Sequence, residues 1–198
     1  LYVVISTTVF VITGTFLSVA IARRFVRGGG LMFTLFLIAL FLPPALIPQF
    51  QLILRLGLCN NPLGSVMLFV VNPIGIVLLV NYIRTIPIEL DEAAAIEGAG
   101  YLRYVFQIVM PLAKPAIATV AVLHSIGVWN ELILPTIYLT SQEYYPVTRG
   151  LIAFQGVYGN NWPLLAAGVL MIALPMVVFF IFAQRYIIGG VTAGAVKG

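Results

Sequence analysis

Charge is what this chain has least of. Ten basic and six acidic residues make up 8% of its 198 positions, against about 25% in a soluble domain. With 62% hydrophobic residues and a mean hydropathy of +1.11, it carries more apolar side chain than one soluble core of this length can bury. Water is therefore excluded as the main solvent of its surface. Cysteine is nearly absent too. Cys59 stands alone, which rules out a disulfide within the chain and leaves an ordinary buried or loop thiol. Histidine is also single, and His124 has too few His, Cys or carboxylate companions to hold a metal. Gly28-Gly29-Gly30 lacks the Lys-Ser/Thr of a phosphate-cradling loop and reads as a turn. The chain is expected to bind no cofactor or metal, to be no ATPase, and to hold no catalytic residue. The net charge of +4 does not point to nucleic acid, because the basic residues form no continuous stripe. No secretory signal is expected within it, since the positive charges follow the first apolar run.

What the chain has instead is long apolar runs. Crossing the hydrocarbon takes about 20 apolar residues in a helix, and five runs qualify: 1–22, 31–54, 64–83, 115–139 and 163–184. Each is expected to be helical, because lipid offers no partner to a free backbone group. The expected fold is an all-α polytopic bundle, one transmembrane domain over 1–198. Its orientation follows from the basic residues. Arg23, Arg24, Arg27, Arg84, Arg103, Lys114, Arg185 and Lys197 flank one side, whereas only Arg55 and Arg149 lie on the other. Eight against two places the first group, and the C-terminus, in the cytoplasm. Prolines fall inside four runs, at Pro43, Pro44 and Pro48, at Pro73, at Pro135 and at Pro175. Each removes a helix hydrogen bond, so kinked helices are expected, either lining a pathway or simply packed.

The loop of about 84–114 is the longest stretch that reads as polar, amphipathic helix. Four of the six acidic residues lie within it: Glu89, Asp91, Glu92 and Glu97. Pro87 suits a helix start, and acidic residues favour the positive end of the helix dipole. Ala93, Ala94 and Ala95 continue the helix with small side chains. Gly98 and Gly100 turn the chain, and Tyr101 to Met110 resumes helix. The spacing is E-A-A from Glu92, three residues, Gly98, nine residues, Ile108, one residue, an apolar residue, Pro111. That pattern resembles the EAA loop of ABC-transporter permeases, with Met110 where Leu is usual, a volume-conserving exchange. An amphipathic helix resting on the membrane surface is the alternative.

The fourth run holds Leu123-His-Ser-Ile-Gly-Val-Trp-Asn-Glu-Leu132. His124 and Glu131 are seven apart, on one helical face, and a carboxylate inside a span is costly unless it faces protein or water. His124, Asn130 and Glu131 are therefore expected at the pathway or a subunit interface, or in helix-to-helix hydrogen bonds. Gln49, Gln51, Asn72 and Asn81 allow the same two readings. The outer loop of about 141–162 is aromatic, with a polar tip including Gly156, Tyr158 and Asn160. It is expected either to dock an extracytoplasmic partner or to sit at the interface, where aromatics are common.

Three further segments resemble the maltose-type carbohydrate importers among those permeases: Tyr82-Ile-Arg-Thr-Ile-Pro-Ile-Glu-Leu90, Trp129-Asn130-Glu131, and the tail Gly190-Val-Thr-Ala-Gly-Ala-Val-Lys-Gly198, similar to the second permease of such pairs. The resemblance implies a type I importer fold of six spans, of which this chain is expected to lack the first. It implies a second permease subunit, two copies of an ATPase that use ATP and Mg, and an extracytoplasmic solute-binding protein, in the plasma membrane. Glu92, Ala93, Ala94, Gly98, Ile108 and Pro111 would then couple to the ATPase, and the solute would be a sugar or oligosaccharide. The principal rival is an ion-coupled secondary transporter, which would need internal repeats and a buried ion-coupling cluster. A membrane enzyme would need a nucleophile–base or metal constellation.

Overall fold

The computed structural model describes the backbone of residues 1–154 and 161–195, with side chains through 152 and over 161–184. Among the described residues there is no strand. The chain opens with α1 (Tyr2–Ala22), which carries no charge. Its hydroxyls donate back to carbonyls one turn earlier, Ser6 to Tyr2 at 2.7 Å, Thr8 to Val4 at 2.8 Å and Thr15 to Val11 at 2.6 Å. These three are thus satisfied without leaving the helix, whereas Thr7 pairs with Ser125 of a later helix at 3.1 Å and Ser18 donates to the Ile76 carbonyl at 3.5 Å. At its end Arg24 takes a left-handed φ of 56°. The Phe25 N–H then reaches the Ala20 carbonyl at 3.0 Å and the Arg24 N–H that of Ile21 at 3.3 Å, which closes the last turn on itself.

Next come α2 (Gly29–Ala39), α3 (Leu46–Arg55), α4 (Pro62–Leu68) and α5 (Pro73–Thr85). The run 31–54, expected as one span, is two short helices, with the break at 40–45. The residue before a proline is pushed out of helix, and Pro43-Pro44 makes that happen twice. The run 64–83 is likewise not one kinked helix. Asn61 and Asn72 each precede a proline at the first helical position and accept a backbone N–H of the turn that follows, from Leu63 and Gly75. Asn-Pro is therefore a start signal here, and α4 and α5 meet at 51°.

The chain continues through α6 (Glu89–Ile96), α7 (Tyr101–Tyr104), a π turn at Val105–Val109, and α8 (Met110–Leu112). It turns by 84° into α9 (Lys114–Asn130). A short α10 (Ile133–Tyr138), two 3₁₀ stretches at Gln142–Tyr144 and Val147–Phe154, and α11 (Trp162–Ala195) complete it. Among the described residues, α1 and the Trp162–Gln184 part of α11 are long and apolar enough to span a membrane. Up to four spans result if each bent pair counts as one, against the five expected.

The core lies where α1, α5 and α9 cross. Phe10, Val19, Ile21, Ile76, Leu79, Ile83 and Val120 are all buried there. Gly75 allows the close approach: a Cβ on it would lie 2.6 Å from the Phe10 ring and 2.8 Å from Val120. Outward faces stay apolar, with Phe41 88% and Met171 76% exposed, which suits lipid or a neighbouring subunit. α11 is tied in by Trp129, whose indole N–H donates to the Ile172 carbonyl at 3.3 Å, next to Met171, the residue whose carbonyl Pro175 leaves without its helical donor.

Candidate coupling site

The loop after α5 is built as a helix, a turn and a return. Glu89, Asp91 and Glu92 fill the first turn of α6, where its free N–H groups favour negative charge. Ala94 is 4% exposed and enters the core, whereas Glu92, Ala93, Ala95, Ile96 and Glu97 face outward. Gly98 has φ +68°. Its N–H and that of Ala99 close back on the Ala95 and Ala94 carbonyls at 3.1 and 2.9 Å. A Cβ at Gly98 would meet nothing within 4 Å, so within this chain the glycine is needed for its left-handed backbone.

On the return, Tyr104, Val105 and Val109 are buried. Ile108 is half-buried and Pro111 exposed. Of the residues expected to face a partner, Glu92, Ala93, Gly98 and Pro111 thus lie on the surface, while Ala94 points inward and Ile108 partly so. The reason is the helical period: Ala94 supplies the one buried side chain of α6. Beside it, a cavity of about 410 Å³ is lined by Phe25, Asp91, Ala94, Ala95, Ala99, Tyr101 and Tyr104.

The loop is fastened by residues the sequence did not single out as a group. Arg23 Nε lies 2.9 Å from Asp91 Oδ2, with both side chains largely buried. Its Nη2 donates to the Ile86 carbonyl at 3.0 Å. The Tyr104 hydroxyl donates to the other oxygen of Asp91. Burial, reinforced by that carboxylate acceptor, pushes the Tyr104 hydroxyl above its ordinary pKa, so it remains a donor. An arginine just after the first apolar run was the available signal, but it reads first as a topology marker.

In α9, His124 takes the second of its two expected places, a helix-to-helix hydrogen bond within this chain, rather than a pathway or subunit interface. It is 3% exposed and stacked on Phe10 at 4.5 Å. Its Nδ1 pairs with the Asn72 amide at 3.1 Å. It packs inside this chain, because its face of α9 is the one against α1. Asn130 ends α9 on the exposed surface. Glu131 is not helical, having ψ 121°, and its carboxylate accepts the Ile133 and Leu134 N–H groups at 2.9 and 3.2 Å. The fourth run therefore breaks at Glu131. Pro135 would clash with the carbonyl four residues back, and that residue is Glu131. His124 and Glu131 are consequently not two groups on one helix.

On the opposite face Asn60, at φ 54°, joins two loops. Its carbonyl oxygen accepts the Thr140 and Ser141 N–H groups at 3.0 and 2.8 Å, and its amide donates to Ser141 Oγ at 2.7 Å. Gly156, Tyr158 and Asn160 lie outside the described residues. No group of three or more His, Cys, Asp or Glu is placed to hold a metal among the described residues.

A bundle of bent apolar helices, with an exposed acidic helix and a glycine turn at its basic end, fits a membrane permease. The chain belongs to the family described as "Binding-protein-dependent transport system inner membrane component", whose profile matches residues 3–187. It is 34% identical over 98% of its length to the melibiose/raffinose/stachyose import permease protein MelC of Bacillus subtilis, spanning 72% of that protein. It is 36% identical over 87% of its length to the arabinooligosaccharides transport system permease protein AraQ of Halalkalibacterium halodurans, of which it spans 62%. Among solved structures it superposes, at a TM-score of 0.83 and 25% identity, on a chain of a bacterial ABC transporter involved in the import of the acidic polysaccharide alginate. That match covers 93% of this chain and 71% of the other.

Proposed function

We propose that the chain is a permease subunit of a binding-protein-dependent ABC importer that forms half of a translocation pathway for an oligosaccharide or related solute. The observation that carries this is α6, an exposed helix with acidic residues in its first turn, ended by Gly98 on the basic side of the topology. Its outer face docks in a cleft of an ATPase subunit through Glu92, Ala93 and Gly98, with Pro111 on the returning helical segment of the loop. ATP and Mg belong to that partner, and this chain supplies no catalytic group. The complex contains a second permease, two ATPase copies and a solute-binding protein, in the inner membrane with the C-terminus cytoplasmic. The outer loop with Gly156, Tyr158 and Asn160 is the place for the solute-binding protein. Names of relatives that import raffinose and arabino-oligosaccharides support the solute class.

Ion-coupled transport is less well supported. Such a carrier needs internal repeats and a buried ion-coupling cluster, and among the described residues Glu131 belongs to no group of three or more His, Cys, Asp or Glu. The test is uptake of raffinose and of an arabino-oligosaccharide by proteoliposomes holding the assembled complex. Uptake should require ATP and solute-binding protein together. Uptake driven by a proton or sodium gradient without ATP would overturn the reading.

A further inference from the structure

The contact that fastens α6 to the bundle is ionic, and its position is informative. Only Ala94 of the eight α6 residues is buried. One methyl group fixes a helix poorly, because rotation about it changes little apolar area. The orientation of α6 must come from elsewhere, and Asp91 supplies it. Its partner Arg23 is the cap of α1, where the helix dipole favours a cation. One planar guanidinium reaches the carboxylate on α6 and the carbonyl of Ile86, the cap of α5. The same Nε approaches the Tyr104 hydroxyl at 3.4 Å, which brings α7 into the joint. Lysine lacks that fork. The backbone carrying Arg23 is itself held, since the Arg24 and Phe25 N–H groups close back on the Ile21 and Ala20 carbonyls at 3.3 and 3.0 Å. Among the described residues this is the single ion pair. A buried pair adds little net stability over apolar packing, but it sets direction, which apolar contact does not.

We propose that Arg23 and Asp91, with Tyr104, are positioning residues that make α6 and α1 move as one body, so that displacement of α6 by an ATPase is delivered to α1. The proposal rests on the coupling reading given above. α1 is the route inward because it packs on both α5 and α9 at the centre of the core. Its outer end, at Val4, is 68% exposed and lies a full helix length from Arg23.

The experiment uses the assembled transporter in proteoliposomes. Val4→Cys reports α1 through its rate of modification by a membrane-impermeant maleimide, with and without MgATP. Ile96→Cys, on the same helix and 87% exposed, reports docking in a separate preparation by disulfide cross-linking to a cysteine placed on the ATPase. In the parent, ATP should change the Val4→Cys rate and the cross-link should form. Energetic coupling between sites is commonly about 5- to 150-fold. Arg23→Gln and Asp91→Asn should each reduce the ATP-driven rate change at least about fivefold, with the cross-link retained. The double variant should be no worse than the poorer single one, because both remove one interaction. Full ATP response in both single variants, or additive losses in the double variant, would overturn the proposal while leaving docking intact. Absence of the cross-link in the parent would overturn the coupling reading itself, and the proposal with it.

Discussion

Gly75→Ala tests the packing on which the whole arrangement depends. The added methyl carbon would lie 2.6 Å from Phe10 Cζ and 2.8 Å from Val120 Cγ1. Carbon atoms in good contact are about 3.5–4.0 Å apart, so α5 must retreat by about 1 Å from two helices at once. Phe10 has no room to yield, being 0% exposed and stacked on His124. Overpacking of this kind costs about 1–3 kcal/mol. Replacing a helical glycine by alanine returns up to about 0.5–1 kcal/mol, and less at the third residue of α5. The expected net loss is about 1–2 kcal/mol, or roughly 5- to 30-fold in the folded-to-unfolded ratio. Gly127→Ala is the control, because a Cβ there meets nothing within 4 Å and the substitution should be neutral or stabilising. Both are measured by SDS-titrated unfolding of the purified chain in detergent. A double-mutant cycle with Phe10→Leu should recover most of the loss. Equal stability of Gly75→Ala and the parent would refute the close crossing of α1, α5 and α9.

Glu131→Ala should destabilise the start of α10 by about 0.5–2 kcal/mol, since it strips two backbone N–H groups of their acceptor; Glu131→Gln, which keeps an acceptor, should lose less than half of that in the same unfolding assay. Gly98→Ala should cost about 1 kcal/mol through its positive φ, whereas Gly98→Trp should insert normally yet abolish ATPase stimulation by the solute-binding protein; unchanged stimulation would place Gly98 away from the docking face. Asn60→Ala loses three hydrogen bonds and a residue tolerant of left-handed backbone, so the loop beginning at Ser141 should be cleaved faster by protease added from outside; Asn60→Asp, which keeps both carbonyl-type acceptances, should show an intermediate rate.

The sequence made the helical class, the loop and its glycine turn legible, because each is a local signal. Apolar runs of 20 residues, acidic residues ahead of alanines and a glycine at a helix end act within a few residues of one another. Where helices break was harder to see. Pro73 reads as an interruption until Asn72 is seen to cap the helix it begins. Pro135 reads as the kink, although the helix opens four residues earlier, at the carbonyl the ring would strike. Glu131 looks like a functional carboxylate buried in a span, because hydropathy does not reveal that one of its oxygens accepts the backbone N–H groups two and three residues on. His124 shares the same difficulty: which side of α9 faces α1 is a tertiary fact.

Arg23 and Asp91 show why the rest was hidden. They are 68 positions apart, and each has a sufficient local explanation, one as a basic flank of a span and the other as an acidic first-turn residue. Nothing in either neighbourhood requires the other. Their pairing becomes necessary only after α1 and α5 are packed, because the end of α5 then brings α6 beneath the end of α1 with one alanine as its only apolar anchor. A helix that must be both exposed to a partner and rigidly held cannot be held by a large apolar face, since that face would have to be buried twice. A small buried ionic contact on one edge resolves the conflict. It leaves Glu92, Ala93 and Gly98 free on the surface while still fixing the direction in which they point.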